Sequence, residues 1–399
     1  MTPFSETNPQ TSSSDAPSVL SILGTRPEVI KMAPVVAALG EHGLESRLCV
    51  TGQHRELLDQ ALDLFGLRPD HDLAVMSEGQ DLSRLMARML DGLSTLLPEE
   101  RPDAVLVQGD TASALAGALA AFYAGIPVGH VEAGLRTEDW RLPFPEEAHR
   151  RWIDSLSTWC FAPTTSAGEH LRREAAERPD RRVWVTGNTV VDALQQLRKS
   201  IPDELSGEHR RLLGPARRVF EGDRGPVILV TLHRREIQGE AVREICRAVR
   251  RLAEARPHLS WIWPVHPNPA IRSEIHGLLA SIPSIFLIEP MPYDLFVRLM
   301  ERSLLILTDS GGVQEEAPSL GRPVLVAREI TERLEGPASG IAKVIGTSTA
   351  QVASELSRLL DDPDELKAMT GVENPYGDGQ AASRIARHLA TVLGGGIVP

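Results

Sequence analysis

"SVLSILGTRPEVIKMAPVVAALGEHGLESRLCVTG" runs from Ser18 to Gly52. The apolar run "SVLSIL" gives way at Gly24 and Pro27 to "PEVIKMAPVVAALGEHG", and a second short run, "ESRLCVTG", follows. This reads as strand, helix, strand. Proline is tolerated in the first turn of a helix, where its missing N–H is not needed. Near-continuous apolar strands separated by helices predict a parallel sheet covered on both faces. Outward from this unit the alternation continues. The helices "RELLDQALDLFG" and "LSRLMARMLDGLSTLL" precede the strand "DAVLVQG". An Ala-rich helix leads to the strand "IPVGHVE", and "WCFAP", a helix and "RRVWVTG" extend the series.

From about residue 193 to 223 the chain is polar, with Pro202, Gly207 and Gly214, which predicts an interdomain connection. The alternation then restarts. "PVILVTL", "SWIWPVH", "SIFLIEP", "LLILTDS" and "PVLVA" read as strands. "EAVREICRAVRRLAEA", "YDLFVRLMERS" and "GVQEEAPSLG" read as helices, and "TAQVASELSRLLDDPDELKAM" and "AASRIARHLATVLGG" close the chain as helices. The expected fold class is α/β, with two Rossmann-like doubly wound domains facing a deep cleft. The expected divisions are a disordered tail over 1–17, a first domain over 18–193, a connection over 194–223 and a second domain over 224–374.

A length of 399 residues suits two domains better than one core. The net charge of −12 argues against general affinity for nucleic acid, so any anion site must be a local basic pocket. Cys49, Cys160 and Cys246 are isolated, which predicts neither zinc nor disulfides and fits a reducing cytoplasm. The N-terminal "MTPFSETNPQTSSSDAPS" lacks the basic start and apolar block of a signal peptide. "ASALAGALAAFYAGIPVGHV", broken by Pro127, is too interrupted to span a membrane.

Doubly wound sheets bind ligands at the carboxyl ends of their strands. "VEAGLRTEDWRLPFPEEAHRR", Val131 to Arg151, follows such a strand and holds five carboxylates and four arginines. It is either a solvated surface loop or a loop that handles charge in the cleft. In "LGTRPEVIK", Arg26 stands at a helix mouth and Lys31 a turn inside, which suits an anion, although an arginine capping loop carbonyls fits equally. Asp110 in "VQGDTASAL" reads first as an ordinary helix N-cap. "TLHRRE" clusters His233, Arg234 and Arg235 at a strand end. In "TDSGGVQEEAPSLG", Ser310, Gly311 and Gly312 let backbone N–H groups approach a phosphate, and a glutamate one turn in can accept both ribose hydroxyls.

Taken in order, "GTRPEVIKMAPV", "TGQHRELLD", "GDT", "HVEAGLRT", "PEEAHR", "GNTVVDAL", "HRRE", "PVHPNP", "TDSGGVQEEAP" and "TER" resemble the non-hydrolysing UDP-N-acetylglucosamine 2-epimerases over roughly residues 18 to 390. The resemblance implies the GT-B fold, with residues 375–399 forming a helix that returns to the first domain. It implies interconversion of UDP-N-acetylglucosamine and UDP-N-acetylmannosamine by elimination of UDP, through a 2-acetamidoglucal, and re-addition. Asp110, Glu132 and Glu146 would be the catalytic carboxylates, joined by Lys31 and His233. Arg26, Lys31 and His233 would meet the diphosphate, and Arg136 and Arg150 would hold the acids or phosphates. Ser310, Gly311 and Gly312 would bind phosphate, Glu316 the ribose, Phe296 the uracil region and Arg333 the pyrophosphate and sugar. Neither cofactor nor metal is implied. The expected partner is the UDP-sugar alone, with no nucleic acid or membrane, in a cytoplasmic homodimer.

This chain departs from the family pattern at His149 and Ile237, each in place of asparagine, and at Leu334 in place of proline. At the second, activating UDP-sugar site, Gln53 and His266 match the family, whereas Glu56 and Gly79 replace a glutamine and an arginine. The alternatives are an epimerase for a related UDP-sugar, a hydrolysing epimerase, a GT-B glycosyltransferase and an inactive binding protein.

Overall fold

The computed structural model describes residues 16–52, 55–76, 79–174, 180–202, 204–222, 225–232 and 239–395. The expected disordered tail, apart from residues 16 and 17, lies outside them. The first group of strands is β1 (Ser18–Leu23), β2 (Glu45–Val50), β3 (His71–Asp72), β4 (Ala104–Gln108), β5 (Val128–Val131), β6 (Trp159–Ala162) and β7 (Arg182–Val185). The second is β8 (Val227–Thr231), β9 (Ser260–Pro264), β10 (Ile285–Ile288), β11 (Ser303–Thr308), β12 (Val324–Val326) and β13 (Ala342–Val344). They form two parallel sheets, ordered β3-β2-β1-β4-β5-β6-β7 and β10-β9-β8-β11-β12-β13. Strand order reverses between β1 and β4 in one and between β8 and β11 in the other. Those are the places where a doubly wound sheet opens a crevice.

Sequence explains the layering. The central strands β4 "AVLVQ" and β8 "VILVT" are buried at every residue, so they carry no alternation of polar and apolar positions. Each sheet has an apolar core on both faces. On one face of the first sheet, the helix Arg26–Glu41 lays down Val29, Met32, Val35 and Leu39 at helical spacing. The helix Ala381–Leu393 adds Ala382, Ile385, Ala386 and Leu389 to the same core. His388 of that last helix stacks on Trp184 of β7, with ring centroids 4.5 Å apart. Its first turn is tied down by Asp192, whose carboxylate accepts from the Ala382 N–H at 2.9 Å.

Several elements differ from expectation. The stretch 194–223 is largely helical, continuing Thr189–Ser200 into Gly207–Leu213 and Arg217–Phe220. Leu205, Leu213, Ala216 and Val219 are buried in one core of the second sheet, beside Val227 and Leu229. One apolar residue in three or four suffices to face a core, so the average composition of such a stretch stays polar. The helix Pro269–Leu279 was not expected between β9 and β10; it buries only Ile271, Ile275 and Leu279, every fourth residue. β3 and β13 are too short to show a pattern. The charged stretch after β5 is loop only in its first part, because Glu146–Leu156 is a helix. All three cysteines are free and buried. No helix among the described residues is long and apolar enough to cross a membrane.

Candidate active site

Glu132 follows β5 directly and takes φ 67°, left-handed backbone that is costly for a residue with a Cβ. The backbone N–H groups of Glu132 and Ala133 both donate to the carbonyl of Phe161, at 3.0 and 3.1 Å. Gly134, at φ 88°, completes the turn, and a Cβ there would lie 2.3 Å from the carbonyl oxygen of Ala167. This turn holds the Glu132 carboxylate in a buried polar cluster drawn from both sheets. Gln108, the last residue of β4, donates to Glu132 Oε2 at 3.0 Å. Lys31 Nζ donates to Glu132 Oε2 and, at 2.9 Å, to Glu315 Oε2. Arg333 Nε donates to Glu315 Oε1 at 2.9 Å, its Nη2 lies 3.6 Å from Glu132 Oε1, and its Nη1 pairs with Glu332.

Electrostatics inside the cluster follow from burial. Burial disfavours charge on Lys31, yet Glu132 and Glu315 outweigh it and hold the ammonium at about 12. Burial pushes the Glu132 carboxyl upward, and Glu315 pushes the same way, against Lys31 and Arg333. Glu315 is penalised by burial too, but its two cations win and its carboxyl is lowered.

A second group surrounds Asp110, just beyond β4. Arg150 Nη2 lies 2.6 Å from Asp110 Oδ2, and the His149 Nδ1–H donates to the Asp110 carbonyl at 3.0 Å. Glu146, His149 and Arg150 stand at i, i+3 and i+4 of one helix, so one face carries all three. Burial lowers the His149 imidazole, opposed by Asp110 and Glu146. Glu146 opens that helix, half-buried.

A third group belongs to the second sheet. The Tyr293 hydroxyl donates to Glu316 Oε2 at 3.0 Å. Burial, with Glu315 adding to it, pushes Glu316 up to about 7 against the Tyr293 hydrogen bond, Lys31 and Arg26. Burial lowers Arg26, opposed by the negative charge of Glu316. Phe296 lies one turn along from Tyr293, packed against the core. Ser310 precedes the helical residues Gly311 and Gly312. A Cβ on Gly311 would lie 2.8 Å from Cζ of Arg333, so glycine is what lets the guanidinium lie over this turn.

Arg136 is not brought to the acids or to the phosphate-type residues. It is buried and bonded to Asp154 at 2.8 Å, to Glu174 at 2.6 Å and to the Leu135 carbonyl at 2.8 Å. Asp154 also receives His130 Nδ1 at 2.7 Å, so Arg136 closes a network beneath the loop. His233, Gln53 and Ile237 lie outside the described residues. His266 Nδ1 accepts from the Asn268 N–H at 3.2 Å. Among the described residues no group of three or more His, Cys, Asp or Glu is placed to hold a metal ion.

Sequence reasoning gave Glu315 only a share, with Glu316, in an expected ribose contact, and assigned no role to Gln108, Tyr293 or Glu28. Glu28 is fully buried, accepting from Thr111 Oγ1 at 2.8 Å and from the Gly24 N–H at 3.1 Å, and burial pushes it up to about 7. It ties the loop after β1 to the loop bearing Asp110. Its signal was its place one residue after Pro27, in the first turn of the helix that also carries Arg26 and Lys31.

Two doubly wound sheets whose strand ends meet in one polar cleft place the chain in the GT-B class of folds. Comparison with known proteins narrows the class. The family model for UDP-N-acetylglucosamine 2-epimerase matches residues 37–390. The UDP-N-acetylglucosamine 2-epimerase of Escherichia coli K12 is 47% identical over 372 residues, 93% of this chain and 98% of that one. The Neisseria meningitidis UDP-GlcNAc 2-epimerase, solved bound to UDP-GlcNAc, is 44% identical over 93% of this chain and 99% of that one, with a TM-score of 0.87. The Methanocaldococcus jannaschii enzyme, solved with UDP-GlcNAc and UDP, is 32% identical over 93% and 99%, with a TM-score of 0.79. The chain belongs to the UDP-N-acetylglucosamine 2-epimerase family.

Proposed function

We propose that this chain interconverts UDP-N-acetylglucosamine and UDP-N-acetylmannosamine without net hydrolysis. The observation that carries the reading is the meeting of Glu132, from the first sheet, with Lys31, Glu315 and Arg333 in one buried cluster. The reaction needs both charges. A carboxylate removes the C2 proton, and the electron pair of that C–H bond forms the C1–C2 double bond. The C1–O bond breaks and UDP leaves with its electrons. Cations stabilise the departing diphosphate. Re-addition of UDP and return of a proton to the opposite face complete the inversion, which calls for more than one acid/base group.

In this reading Asp110, Glu132 and Glu146 are the acid/base groups, and Arg150 orients Asp110. Lys31, Arg26 and Arg333 face the diphosphate, and the resemblance assigns His233 to it as well. Ser310, Gly311 and Gly312 receive phosphate oxygens, Glu316 receives the ribose and Phe296 borders the uracil. The first unit spans 18–193, and the closing segment from 375 returns to it through the helix Ala381–Leu393. The enzyme works as a cytoplasmic homodimer without a cofactor.

Incubation with UDP-N-acetylglucosamine in deuterated water tests this. Proton NMR will show UDP-sugar of both configurations with deuterium at C2. Free UDP with free sugar would mean hydrolysis, and an unchanged spectrum would mean binding alone. A second reading, a related UDP-sugar as the true substrate, is favoured by His149, which stands beside Asp110 with its Nδ1–H committed to a carbonyl. Comparing exchange rates across UDP-hexosamines decides it; a tenfold preference for another sugar would install the second reading.

A further inference from the structure

Glu315 is 1% exposed. Its two oxygens are divided between two cations of different origin. Oε2 accepts from Lys31, on the first helix of the chain, and Oε1 accepts from Arg333, which follows β12 in the second sheet. Both cations also face Glu132, Lys31 by a hydrogen bond and Arg333 at 3.6 Å. The geometry is therefore Glu132 and Glu315 sharing two cations, with Glu332 holding a third nitrogen of Arg333 and Gln108 as a neutral donor to Glu132. No other charged side chain among the described residues has a hydrogen bond or ion pair to Glu132. The adjacent Glu316 turns about 100° away around the helix, toward Tyr293.

We propose that Glu315 is a positioning residue that divides Lys31 and Arg333 between two carboxylates and so keeps Glu132 able to exchange a proton during turnover. The inference rests on the acid/base assignment of Glu132. A carboxylate given an ammonium and a guanidinium to itself holds its negative charge too firmly to accept a proton. Glu315 prevents this in two ways. It competes for both cations, and its own negative charge opposes the charge on Glu132. Burial acts in the same sense on Glu132. The lysine is thereby held between the sheets, at the distance from each acid that its two hydrogen bonds fix.

The test is the pH profile of C2 deuterium exchange for Glu315→Gln and Glu315→Asp beside the unaltered enzyme and Glu132→Gln. Glu315→Gln keeps the size of the side chain and one acceptor. It will still turn over, with the limb of the kcat profile that reports Glu132 displaced toward acid by about one unit, the scale for removing one close like charge. Glu315→Asp, which keeps the charge, will restore the limb most of the way. A loss of packing alone would lower kcat evenly across pH and leave the limb in place. Should Glu315→Gln fail to fold, the aspartate variant carries the test: a limb displaced as far as one unit with the charge retained overturns the proposal. A Glu315→Gln profile superimposable on that of the unaltered enzyme overturns it, as does loss of turnover at every pH with UDP affinity intact. Absence of exchange in the unaltered enzyme, or full activity in Glu132→Gln, would instead sink the acid/base reading beneath it.

Discussion

Glu132 occupies left-handed backbone that its side chain does not favour, and its neighbours over-determine that conformation through Phe161 and Gly134. Strain of this kind, at the residue where the sheets' charges converge, supports the acid/base role proposed for Glu132. Glu132→Gln and Glu146→Gln will each lower turnover about a hundredfold or more, the scale for a lost acid/base group, while UDP affinity by calorimetry stays within about threefold, roughly half a decade. Near-normal turnover in either variant would remove that residue from the mechanism. Glu316 supports a pH prediction. Its folded carboxyl sits near 7, above its ordinary 4.5. The protonated form therefore dominates below 7, whereas two ribose hydroxyls need the carboxylate as acceptor. UDP binding will then release a proton between about pH 5 and 7, and affinity will rise with pH until it levels above 7. Calorimetry at pH 6 in two buffers of different ionisation heat reads this directly. The buffer dependence vanishes in Glu316→Gln, and the same dependence persisting there would assign the proton elsewhere. Glu132 and Asp110 were legible because each lies just beyond the end of a predicted strand, and Lys31 because it sits one turn inside the helix that Pro27 opens. Arg136 was not, because its partners Asp154 and Glu174 lie 18 and 38 residues away and only packing brings them together.

Among the elements, the turn from β11 into Gly311–Glu316 shows how closely backbone and side chain are matched. Gly311 has no Cβ because Arg333 occupies that space. Gly311→Ala will push the guanidinium aside and weaken UDP binding about tenfold, the loss of one charge-assisted contact. The helix itself will persist, as alanine is a better helix former than glycine. An unchanged dissociation constant would show that Arg333 does not meet the nucleotide. The helix Glu146–Leu156 was half legible. Its charges were read, but as a loop, since Pro143 and Pro145 and the acidic opening masked the helical face from which His149 and Arg150 reach Asp110. The helices in 194–223 were lost for the opposite reason: their few apolar residues are too sparse to stand out until a sheet is present to receive them.

On the scale of the molecule, the two doubly wound parallel sheets follow from the alternation read along the chain, whereas their strand order and the pairing of charges across the cleft do not. Regulation is the point where this chain departs most from the family pattern. Gly79 offers no cation, and Glu56 adds a negative charge where the resemblance places a neutral side chain. A close like charge costs on the order of 1 kcal/mol or more in a wet pocket, and a lost arginine–phosphate contact costs about as much. Together they weaken a second UDP-sugar by roughly tenfold to a hundredfold. Initial rates against UDP-N-acetylglucosamine will therefore be hyperbolic. A sigmoidal curve would mean that other side chains hold the activator.

The closing helix Ala381–Leu393, seated on the face that the helix Arg26–Glu41 also covers, has a consequence for how the protein is made. The ribosome delivers β7 about 200 residues before it delivers Ile385 and Leu389. At 5–20 residues per second that gap lasts roughly 10–40 s. For that time the nascent first half stands with its apolar groove open, and Trp184 waits for the ring of His388. A growing chain in this state invites a holding chaperone, and premature termination anywhere in the second half leaves the groove permanently bare.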